Sequence, residues 1–89
     1  MPQMKRPKIE MYVEILKILS RFGPLTQTNI VSKTDFNFNI LEKHLTFLIK
    51  QEMVEEPTFE KKTSFAVTLK GITVLKFFRE LEQMEPIEE

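Results

Sequence analysis

Thr34-Asp35-Phe36-Asn37-Phe38-Asn39-Ile40-Leu41-Glu42-Lys43-His44-Leu45-Thr46-Phe47-Leu48-Ile49 is the stretch that decides the fold. Asn37 is a good helix N-cap, because its side-chain oxygen accepts one of the first-turn N–H groups that have no partner inside a helix. Beyond it, Leu41, Leu45 and Leu48 recur at helical spacing as a core stripe, with Phe38, His44 and Ile49 on its flanks. Asn39, Lys43, Thr46 and Lys50 fall on the opposite side. The pattern predicts a helix over 37–52, entered through a tight connection at Thr34, Asp35 and Phe36.

Working toward the N-terminus, Thr26 to Asn29 lead into Ile30 and Val31, which predicts a short capped helix ending near Lys33. Before it, apolar residues from Ile9 to Phe22 cover most of a helical circumference and leave Glu10, Glu14, Lys17 and Arg21 as a narrow polar stripe. That helix is expected to be buried on more than one side. Pro7 suits its first turn, and Gly23-Pro24 is a strong stop.

Toward the C-terminus the period changes from helical to alternating. Val54 to Phe59 and Ser64 to Thr68 are β-rich runs separated by Glu60, Lys61, Lys62 and Thr63, the pattern of a hairpin with a charged tip. Pro57 has no N–H to give to a ladder and marks an edge or a bulge. Thr68 then caps a last helix from Leu69 to about Met84, whose apolar positions again exceed one stripe.

The order is helix, short helix, tight turn, longer helix, two-stranded hairpin, helix. Its middle is a helix-turn-helix followed by a wing, giving an α+β, mainly α class with a three-helix core. With 89 residues, 42% of them hydrophobic, the chain is expected to make one core and no second domain. The organisation expected is a flexible basic arm at 1–7, a domain at 8–84 and a frayed acidic tail at 85–89. No Cys is present, so disulfides, thiolate metal sites and Cys nucleophiles are excluded, and an intracellular, cytoplasmic setting is expected. No apolar run approaches the roughly 20 residues of a membrane span.

The run Phe36 to Leu48 resembles the turn and recognition helix of winged-helix regulators. Met53-Val54-Glu55 is similar to their exit into the first wing strand. Phe65-Ala66-Val67-Thr68-Leu69-Lys70-Gly71 resembles the aromatic-x-aliphatic-Thr-x-x-Gly signature that closes the wing. Compact size and long outer helices look most like the small archaeal ten-kilodalton DNA-binding proteins. Two positions depart from that pattern, Asp35 and Glu52 standing where many relatives carry Gly. Asp tolerates a left-handed backbone; Glu tolerates it less, so the helix is expected to run one residue further.

The resemblance implies binding of double-stranded DNA. Residues placed to reach base edges are Asn37, Phe38, Asn39, Lys43 and Thr46, since Asn pairs with adenine and Lys donates to guanine. The same residues also read as a helix cap and an ordinary solvated face. At the hairpin, Lys61, Lys62 and Thr63 suit phosphate contact, and a solvated turn has the same composition. Charge is uneven: the 13 basic and 13 acidic residues cancel, with a basic front and an acidic tail. Such neutrality favours selective binding by a dimer over dense coating of DNA, and it equally suits a module that docks another protein of the transcription machinery.

Surplus apolar area on the outer helices calls for a partner copy. The expected homodimer seam is Val74, Phe77, Leu81 and Met84 of the last helix (69–84) against Met11 and Ile15 of the first; closure of the monomer core is the other use for them. His44, the single histidine, is expected to pack or cap. With no clustered ligands, no Gly-rich phosphate loop and no nucleophile beside a base, the residues point to no cofactor, no metal and no enzyme.

Overall fold

The computed structural model describes residues 7–59 and 62–84. Lys61, the arm with Lys5 and Arg6, and the tail 85–89 lie outside the described residues. Among the described residues four helices occur: α1 Lys8–Phe22, α2 Gln27–Lys33, α3 Phe38–Lys50 and α4 Leu69–Glu82. Between α3 and α4 lie four two-residue strands: β1 Val54–Glu55, β2 Thr58–Phe59, β3 Lys62–Thr63 and β4 Ala66–Val67.

Local chemistry sets most of the helix ends. The Thr26 hydroxyl accepts Asn29 N–H at 3.2 Å, Asn37 Oδ1 accepts Ile40 N–H at 2.8 Å, and the Thr68 hydroxyl accepts Gly71 N–H at 3.1 Å. Leu25 and Phe36 each stand one residue before a cap whose fourth helical position, Ile30 or Leu41, is fully buried, the placement of a hydrophobic staple. Pro7 is the residue before α1 rather than a member of its first turn. Gly23, with φ at 79°, ends that helix and donates to the Leu19 carbonyl at 3.0 Å.

The turn between α2 and α3 needs no left-handed residue. The Thr34 hydroxyl donates to the Ile30 carbonyl at 3.0 Å and accepts Phe36 N–H at 3.3 Å, so one side chain closes both sides of the connection. Asp35 therefore has an ordinary negative φ, and its tolerance of the left-handed region is not used.

The end of α3 overturns the expectation of an extended helix. It stops at Lys50, and Glu52 adopts φ 63°, the one left-handed non-glycine among the described residues. Met53 N–H donates to the Leu48 carbonyl and Glu52 N–H to the Ile49 carbonyl, both at 2.9 Å. Those two bonds are a Schellman motif, with Glu52 in the position glycine usually fills.

The hairpin is also shorter at its tip than the sequence suggests. Lys62 and Thr63 belong to β3 rather than to the turn, and they pair with Phe59 and Thr58. Nearer the base, Val54 faces Val67 and Glu55 faces Ala66. Both halves share one antiparallel register, interrupted at Pro57, whose ring nitrogen has no proton to donate. Pro57 still accepts Ser64 N–H at 3.1 Å. On the far side of Phe65, Leu25 completes a third short rung, with reciprocal N–H to carbonyl bonds of 2.8 and 3.0 Å.

All these elements meet in one core: Ile15, Leu16 and Leu19 of α1, Ile30 of α2, Leu41, Leu45 and Leu48 of α3, then Val54, Phe65 and Leu75. α1 is central, packing against every other helix and β4. Its ends are less buried than its composition suggests, since Ile9 and Phe22 are half-exposed. Lys33 Nζ from α2 sits 4.4 Å from the Phe22 ring centroid, which gives that ring a cationic cover.

Candidate nucleic-acid interface

α3 buries Leu41, His44, Leu45 and Leu48 and turns its other side outward. Asn37, Phe38, Asn39, Lys43 and Thr46 are all exposed there. Two of them are partly committed: Asn37 caps the helix, and the Thr46 hydroxyl donates to the Glu42 carbonyl at 2.8 Å. The side chains of Asn39 and Lys43 make no hydrogen bond or ion pair among the described residues.

Two neighbours of this face were not singled out from the sequence. Gln27 Nε2 donates to the Phe38 carbonyl at 3.4 Å, which ties the start of α2 to the start of α3. Ile40 is exposed beside Asn39. Its signal was available, because it falls off the Leu41, Leu45 and Leu48 stripe on a helical projection.

Lys62 and Thr63 are exposed on β3. Between α3 and the hairpin base lies a groove of about 280 Å³ that Gln27, Glu42, Thr46, Ile49 and Glu56 help to line. Two carboxylates, Glu42 and Glu56, thus face the groove between the helix and the hairpin. This side therefore carries exposed Lys43 and Lys62 together with the groove carboxylates, a mixed rather than uniformly basic surface.

His44 is buried beneath the same helix. Tyr12 meets it edge-on at 5.0 Å between ring centroids and Phe36 at 6.2 Å, while Phe47 stacks on Tyr12 at 4.6 Å. Its Nε2 has no hydrogen-bond partner. Burial holds its pKa below the ordinary value of 6.5, and the positive charge of Lys8 adds to the effect. Histidine here is a packed core ring. Among the described residues no group of three or more His, Cys, Asp or Glu is placed to hold a metal ion.

The expected seam divides in the structure. Phe77, Leu81 and Met84 are exposed, Phe77 at 59%. Met11 and Val74 are half-buried against the core. Ile15 is 0% exposed, so its place in the seam is corrected: it closes the protomer's own core between α1 and its neighbours. α1 and α4 are joined at the surface by Lys17 and Glu82, 3.6 Å apart, beside a groove of about 300 Å³ that Ile9, Glu14 and Phe78 help to line.

Capped helix, hydroxyl-closed turn, second helix with an exposed face and a hairpin define a helix-turn-helix domain with a wing. The family comparison agrees: residues 5–86 match the winged helix-turn-helix model, and the chain belongs to that family. Three solved structures share the fold. The reduced form of the transcriptional regulator YodB from B. subtilis aligns with a TM-score of 0.74 at 23% identity, over 89% of each chain. A mutant of Lactococcus lactis ZitR aligns with a TM-score of 0.73 at 18% identity, over 92% of this chain and 60% of that one. RV1404 from Mycobacterium tuberculosis gives 0.66 at 22% identity, over 88% and 61%. No curated protein matches the chain by sequence. No helix among the described residues is long and apolar enough to cross a membrane.

Proposed function

We propose that this chain is a sequence-selective, double-stranded-DNA-binding transcriptional regulator. α3 enters the major groove with Asn37, Phe38, Asn39, Lys43 and Thr46, while Lys61, Lys62 and Thr63 of the wing meet the phosphate backbone. The observation that carries this reading is the outer face of α3, where Asn39 and Lys43 are exposed and uncommitted. Family membership supports it, as does the likeness to YodB, described as a transcriptional regulator. The protein works in the cytoplasm in association with the nucleoid, with the basic arm at 1–7 tracking the backbone, in the manner of the small archaeal regulators that its size and outer helices resemble.

The active form is a homodimer joined through α4. Phe77, Leu81 and Met84 expose an apolar row that Val74 and Met11 extend toward the core, and a two-fold axis there presents two α3 helices to one face of DNA. A second reading is favoured by the zero net charge together with that same row: a module that docks a protein of the transcription machinery and leaves DNA untouched.

Fluorescence anisotropy of labelled duplex DNA at about 50 and about 200 mM salt separates the two, because multi-phosphate binding weakens by orders of magnitude over that range. Saturable, salt-sensitive binding is the expected result. Absence of binding at the lower salt overturns the DNA reading in favour of the docking module.

A further inference from the structure

Side chains in a helix lean toward its N-terminus, so the first-turn residues of α3 fan out around its leading end. There Phe38, 49% exposed, and Ile40, 40% exposed, stand on either side of Asn39, each turned from it by about 100° around the axis. The hydrogen-bonding capacity of this face is already reduced. Asn37 Oδ1 is occupied by Ile40 N–H and the Thr46 hydroxyl proton by the Glu42 carbonyl, so of the five residues only Asn39 and Lys43 have wholly uncommitted polar side chains. Apolar surface flanks Asn39 at this leading end.

In the major groove one base carries an apolar group, the 5-methyl of thymine. We infer that α3 reads thymine methyl groups, with Phe38 and Ile40 covering methyls on either side of an adenine paired by Asn39. The preferred site is therefore rich in A·T steps. This inference rests on the DNA-binding reading above. It also answers a shortage that the charge pattern creates. With zero net charge and with Glu42 and Glu56 lining the groove beside the reading face, phosphate contacts supply salt-sensitive affinity without sequence choice, and apolar burial supplies selectivity that salt does not screen.

The test uses duplexes that differ only in that methyl. Alternating dA-dT DNA is compared with the same duplex carrying deoxyuridine in place of thymidine, and alternating dG-dC with its 5-methylcytosine counterpart, all by anisotropy at low salt. Burial of one methyl corresponds to about fourfold in affinity, so two covered methyls give a preference of about tenfold or more for thymidine over deoxyuridine. Methylated dG-dC is expected to gain in the same direction.

Phe38→Ala and Ile40→Ala, both at exposed positions, are expected to keep the wild-type melting curve and to bring the ratio of thymidine to deoxyuridine affinity toward one. Equal, saturable binding to both duplexes overturns the methyl reading while DNA binding stands. A ratio that neither variant changes assigns the preference to duplex shape and overturns the roles of Phe38 and Ile40. Failure to bind any duplex overturns this inference together with the DNA-binding reading.

Discussion

The Thr68 hydroxyl donates to the Glu52 carbonyl at 2.6 Å, joining the cap of α4 to the left-handed residue that ends α3. The same oxygen accepts Gly71 N–H at 3.1 Å, and Thr68 N–H donates to the Met53 carbonyl at 3.0 Å. One residue therefore fixes the start of the last helix against the exit of the recognition helix. Thr68→Ala is expected to lower stability by about 1–2 kcal/mol, the range for a lost N-cap, and Thr68→Ser to retain most of it. Urea unfolding of the three proteins checks this; equal midpoints for wild type and the alanine variant would remove the tie from the account.

Gly71 lies one turn into α4, where a Cβ would press on the Met53 carbonyl oxygen and sit 2.7 Å from Val67 Cγ2. Alanine is the better helix former by about 1 kcal/mol, so propensity alone favours Gly71→Ala. The close approach opposes it, and overpacking against backbone costs about 1–3 kcal/mol. The net expectation is a destabilised protein with a lower Tm in calorimetry.

Glu52 makes the opposite case. A non-glycine residue at φ 63° carries roughly 1–2 kcal/mol of steric penalty, part of which glycine forfeits again through its freer unfolded chain. Glu52→Gly is expected to stabilise by about 0.5–1 kcal/mol, read as a higher denaturation midpoint with an unchanged slope. A destabilised variant would mean that the Glu52 side chain contributes more than its backbone strain removes.

His44 introduces a pH dependence of known sign. Its folded pKa lies below the ordinary 6.5 because of burial and then Lys8, so the unfolded chain binds the proton more readily. The stability that the neutral ring contributes is complete above about pH 6.5. It falls away as pH drops below that value, levelling off under the folded pKa. His44→Phe keeps a ring against Tyr12 and Phe36 and removes the orphaned Nε2, so it is expected to be at least as stable at neutral pH and to lose this slope. Urea midpoints of both proteins between about pH 5 and 8 give the difference, since carboxylate titration is common to the two.

On DNA, Lys43→Ala is expected to cost about 1–3 kcal/mol at the preferred site and little elsewhere, whereas Lys62→Ala weakens binding on all sequences and lowers the salt slope by about one. Phe77→Asp is expected to shift the protein from dimer to monomer in sedimentation without unfolding it, because Phe77 is exposed on the protomer. Gel-shift titrations and sedimentation velocity test the two surfaces separately.

Legibility in the sequence followed the range of the interaction. Thr26, Asn37 and Thr68 could be read as caps because each acts on an N–H three residues away. Leu41, Leu45 and Leu48 could be read as core because one helix period places them together. Glu52 misled because side-chain propensity argues against a left-handed Glu, while the Thr68 hydroxyl that donates to its carbonyl lies sixteen residues away in sequence. Leu25 gave no sign of its rung with Phe65, since a single residue between Pro24 and a cap has no period. Ile15 was placed in the seam because an apolar circumference does not say which side the protomer itself covers.

Val54 opposite Val67 and Thr58 opposite Thr63 keep one register across the interruption at Pro57, so the hairpin can be lengthened or shortened beyond that point by adding or deleting residues in facing pairs. Such changes leave the inner rung, the Leu25 bridge and the seat of α4 where they are. The outer hairpin is thus free to drift in reach over generations while the body that carries α3 is inherited unchanged.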